Sequence, residues 1–202
     1  MRIIAGQYKG HRLRPVPGNT ARSTADRVRE SMFNILAAEI PDASVLDLFC
    51  GAGTLGIEAL SRGASRATFV DVSRRSVQQT RENLRAVHAE DDADVITSDA
   101  LAALRSLARK GRSFNLVFAD PPYGENWSAK TLRAFSESDV RAPEGILVIE
   151  HHKKESPGGP PPGFSVWTER RFGDTMFTIW RWHTVTGEPP LMDFRAQETN
   201  DG

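Results

Sequence analysis

Short apolar runs alternate with amphipathic segments from residue 44 to residue 150. The runs have the length of strands, and the segments between them carry apolar residues at helical spacing. We predict strands at residues 44–49, 67–71, 94–98, 114–119 and 146–150, and helices at residues 54–62, 73–87, 100–109 and 129–137. A strand followed by a helix, repeated several times, is typical of a parallel sheet covered on both faces.

The two ends of the chain have different patterns. Residues 164–171 and 175–182 flank a Phe-Gly-Asp turn and predict an antiparallel hairpin. Near the N-terminus, residues 2–5 and 11–16 predict a smaller hairpin, and the helical spacing that follows predicts a helix ending near Glu39.

The fold class predicted from these patterns is α/β. It is a doubly wound, mostly parallel sheet with an antiparallel C-terminal strand and a small N-terminal extension of hairpin and helix. Residues 1–40 form the extension, residues 41–183 form the main domain, and residues 184–202, which have no periodicity, form a flexible tail.

The composition fits one domain in a reducing compartment. The chain has 202 residues, 39% of them hydrophobic and 26% charged, so it can bury a sizeable core. No window approaches the about 18 uncharged apolar residues that a membrane helix requires. The single cysteine, Cys50, excludes an internal disulfide and a thiol-rich metal site. We therefore expect a cytoplasmic protein without a membrane segment or a metal.

Charge is distributed unevenly, although 26 basic residues balance 26 acidic ones. Residues 1–30 contain seven Lys or Arg against two acidic residues, so the rest of the chain is acidic overall. A molecule polarised in this way can attract a polyanion at one end. The same cluster also fits an ordinary solvated segment, and charge alone leaves both interpretations open.

Four acidic residues end four of the predicted strands or follow them closely: Asp47, Asp71, Asp99 and Asp120. The carboxyl ends of the strands in an open parallel sheet line the crevice where ligands bind. Any one of these acids could instead be a turn residue or a helix cap, and Asp99 directly precedes a predicted helix. Four in succession favour a ligand site.

A glycine-rich turn follows the first of these strands. Residues 51–56 have the pattern GxGxxG, and Asp71 lies twenty residues after Gly51, a spacing that fits the dinucleotide fingerprint. However, Asp47 would repel a pyrophosphate and hold an ammonium group, while Asp71 can accept from ribose hydroxyls and Asp99 from an adenine amine. The ligand that carries an ammonium, a carboxylate, a ribose and an adenine is S-adenosylmethionine. We interpret Cys50 as a small space-filling residue.

The stretch FADPPYGENW follows the fourth strand and contains Asp120, Pro121, Pro122 and Tyr123. The two prolines stiffen the turn and remove two N–H donors, which leaves the Asp120 carboxylate and the backbone carbonyls as acceptors. The Tyr123 ring can stack on a nucleobase, a contact worth about 1–3 kcal/mol. Acceptors beside a stacking ring indicate recognition of an exocyclic amine, either N2 of guanine or N6 of adenine.

These motifs resemble those of a known class of enzymes. VLDLFCGAG, FVDVS, SDA and FADPPYG are similar to the motifs of class I S-adenosylmethionine-dependent amino-methyltransferases. RIIAGQYKGHRL and STADRVRESMFNIL resemble the bacterial RsmD-type family, which methylates guanine N2 in 16S ribosomal RNA. The resemblance implies a seven-stranded sheet whose last strand is reversed, and a substrate that is 16S rRNA or the assembling small ribosomal subunit.

The resemblance also implies a role for each candidate residue. The methionine part of the cofactor would be held by Asp47, Phe49, Gly51 and Gly53, the ribose by Asp71, and the adenine by Asp99 and Ala100. The target amine would be held by Asp120, Pro121, Pro122 and Tyr123, and RNA by the N-terminal arginines Arg12, Arg22, Arg27 and Arg29.

Three other functions compete with this interpretation. The first is an adenine-N6 methyltransferase acting on DNA or RNA, because both amines present the same donors to the Asp-Pro-Pro-Tyr turn. The second is an NAD-dependent oxidoreductase, which leaves that turn and Asp47 without a role. The third is an RNA-binding module without catalysis. We expect a monomer.

Overall fold

The computed structural model describes residues 1–17 and 26–183. These residues form a seven-stranded sheet of β1 (Ser44–Leu48), β2 (Arg66–Asp71), β3 (Ala93–Thr97), β4 (Phe114–Ala119), β5 (Arg141–His152), β6 (Phe164–Phe172) and β7 (Thr175–His183). The spatial order is β3-β2-β1-β4-β5-β7-β6. The first five strands are parallel, and β7 runs antiparallel to both β5 and β6. The predicted mostly parallel sheet with a reversed C-terminal strand is confirmed.

Helices connect the parallel strands in the predicted alternation. They are α1 (Asp26–Ile35), α2 (Thr54–Ser61), α3 (Arg74–Ala86), α4 (Ala100–Arg109) and α5 (Trp127–Ser136), with a 3-10 turn at Ala37–Glu39. The largest difference from prediction is the length of β5, which was expected at residues 146–150 and spans Arg141–His152. The strand is longer because β7 pairs with it from Glu144 to His152. In the described part of the chain, no helix has the length and apolar character to cross a membrane.

Two hydrophobic cores cover the two faces of the sheet. On the first face, α1, α2 and α3 pack together with N-terminal residues, and this core includes Ile3, Phe33 and Leu60. On the second face, α4 and α5 pack against the strands through residues such as Leu104 and Phe135. We call these the α1–α3 face and the α4–α5 face. Helices on both faces confirm the doubly wound class.

The carboxyl ends of the parallel strands lie side by side, and we call this the carboxyl edge. Leu48 of β1 is in register with Val70 of β2 and with Ala119 of β4, and Ala119 is in register with Ile149 of β5. Residues that follow these positions therefore share one edge of the sheet, where open α/β sheets bind their ligands.

The N-terminal segment, residues 1–17, packs against α2 and α3. The predicted hairpin is reduced to a single antiparallel bridge between Arg2 and Arg12. The N–H groups of Ile4 and Ala5, which continue from this bridge, donate to the Glu58 carboxylate of α2 at 2.8 and 3.0 Å. The segment is therefore held both by the main domain and by its own backbone hydrogen bonds, which run at 3.0 Å from Ile3 N–H to the His11 carbonyl and from Leu13 N–H to the Met1 carbonyl.

Candidate active site

The turn after β1 has the strained backbone that ligand-binding loops often show. Phe49 has a φ of 63°, a region that non-glycine residues rarely adopt. Gly53, at the start of α2, has a φ of 79°, and a Cβ there would lie 2.8 Å from Thr80 Cγ2. At Gly51 a Cβ would meet nothing within 4 Å. The turn therefore keeps an open space beside its backbone at Gly51.

Asp47 lies beneath this turn and is buried, with 1% relative exposure. Its Oδ2 accepts a hydrogen bond from the N–H of Gly56 at 2.9 Å. Burial raises the pKa of Asp47 to about 7, and the negative charge of Asp71 adds to the rise, while the Gly56 hydrogen bond opposes it. A buried carboxylate in this condition is stabilised by any cation that reaches its other oxygen.

Asp71 ends β2 and connects it to the glycine turn. Its Oδ2 accepts from Gly51 N–H at 2.9 Å, and its Oδ1 accepts from Ser73 N–H at 2.7 Å. The next residue, Val72, is 73% exposed, which is unusual for a large apolar side chain. A polar carboxylate and an exposed apolar side chain are therefore adjacent at the end of β2.

Asp99 occupies the corresponding place after β3. It is exposed and caps α4 by accepting from Ala102 N–H at 3.0 Å, while Ala100 is buried. The preceding residue, Ser98, donates its N–H to the carbonyl of Asp71 at 3.0 Å. The structure thus gives Asp99 a capping role, and its contact with adenine stays a prediction.

The Asp-Pro-Pro-Tyr turn follows β4 at the carboxyl edge. Tyr123 is 55% exposed, and its hydroxyl lies 3.4 Å from Thr175 Oγ1. Its ring meets that of His152 edge-on, with centroids 5.7 Å apart. Gly124 N–H donates to Glu155 Oε1 at 2.8 Å, which ties the end of the turn to the loop after β5. The hydrogen bond to Glu155 therefore fixes the backbone of the turn at Gly124, while the Tyr123 side chain remains exposed to solvent.

Asp120, after β4, interacts electrostatically with Asp47 of β1 and Glu150 of β5. Its pKa is well above the ordinary value because its carboxyl group is desolvated, and the charges of Glu150 and Asp47 raise it further. The three carboxyl groups belong to the neighbouring strand ends of β1, β4 and β5. Acids with such displaced pKa values in a cleft are typical of functional sites.

Cys50 is buried beside this group of acids and is not a nucleophile. Its Sγ lies 3.6 Å from Thr80 Oγ1. Burial raises the pKa of the thiol, and the charge of Asp47 raises it further. A thiolate is therefore disfavoured. The interpretation of Cys50 as a space-filling residue agrees with this environment.

The predicted RNA-facing arginines have different environments. Arg12 and Arg27 are exposed, whereas Arg29 is 1% exposed and donates from its guanidinium to the carbonyl oxygen of Arg2. Arg29 was predicted to face RNA, and this is wrong, because it shares the inner side of α1 with Val28 and Phe33. Arg22 lies outside the described residues, as does the predicted tail, residues 184–202.

Several residues at the carboxyl edge were missed by sequence reasoning. Glu150 near the end of β5 follows an apolar run in the same manner as the four aspartates, so the signal was present. Glu155 and Thr175 have no such signal, because their contacts with the tyrosine turn come from distant parts of the chain. Val72 has no signal in the sequence, and only the exposure of its side chain in the structure marks it as a candidate site residue.

The strand order and the loops at the carboxyl edge define the class I methyltransferase fold. The solved structure of TrmN from Thermus thermophilus shares this fold, with a TM-score of 0.60 at 22% identity, over 77% of this chain and 48% of that one. Two solved structures are more similar: the Escherichia coli protein yhhF (TM-score 0.79, 37% identity, 91% of this chain and 98% of that one) and the Thermus thermophilus protein TTHA0928 (TM-score 0.76, 27% identity, 89% and 98%).

Sequence comparison defines the family within this class. The family model described as Conserved hypothetical protein 95 matches residues 1–181, and the chain belongs to this family. Among its relatives is the ribosomal RNA small subunit methyltransferase D of Escherichia coli K12, 37% identical over 90% of this chain and 89% of the relative. The protein of the same name from Haemophilus influenzae is 30% identical, over 90% and 93%. The predicted RsmD-type resemblance is confirmed.

Proposed function

We propose that this protein transfers a methyl group from S-adenosylmethionine to the exocyclic N2 amine of a guanine in small-subunit ribosomal RNA. The relatives' names support the reaction and the RNA. The observation that carries the proposal is the position of Asp120 beside Asp47, which brings the Asp-Pro-Pro-Tyr turn next to a buried carboxylate that a cation would stabilise. A nucleobase amine and a cationic donor would then meet at one edge.

The residues around the glycine turn fit this donor. The open space at Gly51 and the N–H groups at the start of α2 suit its carboxylate, and Asp47 suits its ammonium group. Asp71 would hold the ribose of the donor, and the exposed Val72 side chain would pack against its adenine. When bound, S-adenosylmethionine supplies a methyl group activated by a positively charged sulfur.

Asp120 would have two roles in methyl transfer to the target amine. The lone pair of an exocyclic amine is delocalised into its ring, and hydrogen bonds from its N–H groups to a carboxylate and a carbonyl localise that pair. The carboxylate also stabilises the positive charge that develops on nitrogen. The desolvation that raises the pKa of Asp120 also strengthens both effects of its ionised form, since a charge acts more strongly where water is excluded.

RNA binding would use the exposed ring and the exposed arginines. Stacking of the target base on Tyr123 is worth about 1–3 kcal/mol. Arg12 and Arg27 are available for phosphates, and a base in an RNA loop is turned out at lower cost than one in a duplex. The substrate is 16S rRNA, free or in an assembling subunit.

The test is methyl transfer to small-subunit RNA, with and without bound ribosomal proteins, followed by digestion and identification of the nucleoside. We expect N2-methylguanosine. Replacing the acceptor in D120A should lower turnover by about 10²–10³-fold while S-adenosylhomocysteine still binds. The control is D139A, which removes an exposed aspartate before β5 and should change nothing. N6-methyladenosine without N2-methylguanosine, or full activity in D120A, would overturn the proposal.

A further inference from the structure

Glu150 lies beside Asp120 on the same face of the sheet. β4 and β5 are parallel, with Phe118 in register with Val148 and Ala119 with Ile149. Phe118 and Val148 belong to the α1–α3 face, and Ala119 and Ile149 to the opposite face. Side chains alternate along a strand. Glu150, the next residue of β5, therefore returns to the α1–α3 face, and Asp120, which directly follows β4, lies beside it at the carboxyl edge, close enough for the charge of Glu150 to raise the pKa of Asp120.

The same place is next to the exposed tyrosine ring. Glu150 pairs with Phe177 of β7, and His152, two residues further on the same face, pairs with Thr175. Thr175 and His152 are the residues that contact Tyr123. The charge of Glu150 is also among the causes that raise the pKa of Tyr123 and of Asp120. Glu150 thus lies between the amine-binding carboxylate and the surroundings of the stacking ring.

Two neighbouring carboxylates match the two donors on the edge of guanine but not the acceptors that flank the amine of adenine. Guanine presents two adjacent kinds of donor, the N1–H and the N2 amine. Adenine presents its N6 amine between two acceptors, N1 and N7. A second carboxylate beside the amine site can accept from guanine N1–H, but it would face a lone pair in adenine. Sites that hydrogen-bond a substrate group reject analogues without it by about 10⁴–10⁵-fold.

We propose that Glu150 accepts the N1–H of the target guanine and thereby selects guanine over adenine in the Asp-Pro-Pro-Tyr site. Asp120 holds the amine that both bases share, and Glu150 reads the position in which they differ. This inference rests on the proposed methylation of guanine N2 and adds the residue that determines its base specificity.

The experiment changes one hydrogen-bonding position of the base and of the protein. Small subunits are reconstituted with guanine or 2-aminopurine at the mapped target, because 2-aminopurine keeps the N2 amine but has an acceptor at N1. Wild type should strongly prefer guanine. In E150Q the amide can donate to N1 of 2-aminopurine, so the preference for guanine should fall by about 10²-fold or more. E144Q, an exposed glutamate on the same strand, is the matched control.

The outcomes separate the two proposals. No N2-methylation of guanine by wild type would overturn the proposed function itself. Methylation of guanine and 2-aminopurine by wild type at similar rates would overturn only the role of Glu150, whether or not a variant folds. An unchanged ratio in an E150Q protein that binds S-adenosylhomocysteine normally would do the same. Comparing ratios between proteins cancels the different intrinsic reactivities of the two amines.

Discussion

Two buried carboxylates, Glu58 and Asp47, show how differently two regions are built: the contact of residues 1–17 with α2, which we call the N-terminal dock, and the carboxyl edge. Each side chain is 1% exposed. Glu58 accepts two backbone N–H groups of the N-terminal segment and one from the guanidinium of Arg62, at 2.8–3.0 Å. Within the described residues, Asp47 accepts a single hydrogen bond, from Gly56. The first carboxylate accepts three hydrogen bonds from the protein, whereas the second accepts one.

The N-terminal dock is held together by direct contacts between the backbones of the two segments. Ser61 accepts from Tyr8 N–H at 3.0 Å through its hydroxyl and from Gln7 N–H at 2.7 Å through its carbonyl. At Gly6 a Cβ would lie 1.7 Å from the Ser61 carbonyl oxygen, so the backbones touch. Such a contact leaves no room for a ligand, and its purpose is structural.

At the carboxyl edge, negative charges lie close together. The charge of Asp47 raises the pKa of Asp120, as does that of Glu150, so the acids oppose one another until donors or cations bind. Buried and mutually repelling carboxyl groups of this kind cost stability, and such costs are common at functional sites. The difference between the two regions leads to variants with opposite expected effects.

The largest effect is expected from E58A. Removing the carboxylate leaves two backbone N–H groups and the Arg62 guanidinium without their acceptor, so the free energy of unfolding should fall by about 3–5 kcal/mol. Urea denaturation measures this change. E90A, at an exposed glutamate, is the control. A loss below about 1 kcal/mol would mean that the dock does not depend on Glu58.

Asp47 should respond in the opposite sense. Its folded pKa of about 7 exceeds the ordinary 3.8, so its cost to folding develops between these values and is complete above pH 7. D47N removes the charge and should raise the free energy of unfolding at pH 8 by up to about 4 kcal/mol. Affinity for S-adenosylhomocysteine should fall by about 10²-fold. Loss of stability at pH 8 in D47N would contradict the contrast with Glu58.

Cofactor binding should depend on pH through the same carboxylate. An ammonium group requires ionised Asp47, so below pH 7 binding must release a proton, and affinity should fall by up to about tenfold per pH unit. Calorimetry at pH 6 in buffers of different ionisation enthalpy measures the released proton. The dependence should disappear in D47N. Equal heats in all buffers for the wild type would exclude Asp47 as the ammonium site.

Sequence reasoning succeeded where one local rule positions many residues. Alternating strands and helices imply a parallel sheet, and a parallel sheet brings Asp47, Asp71 and Asp120 to one edge without further information. It failed where position depends on a distant partner. The N–H groups that bind Glu58 lie 53 and 54 residues earlier in the chain, and no local pattern connects them. Arg29 failed for the same reason, because its charge suggested solvent although its helix face is buried.

The smallest effect concerns the exposed arginines, which separate the structural part of the N-terminal region from its RNA-binding part. R12A/R27A should leave stability unchanged, because both side chains are exposed. If both contact phosphates, RNA binding should weaken several-fold at low salt, and the slope of log K against log salt should become shallower by about two, one for each lost contact. R105A/R109A, a matched pair on α4, is the control. An unchanged slope would show that the N-terminal charge faces solvent and not RNA.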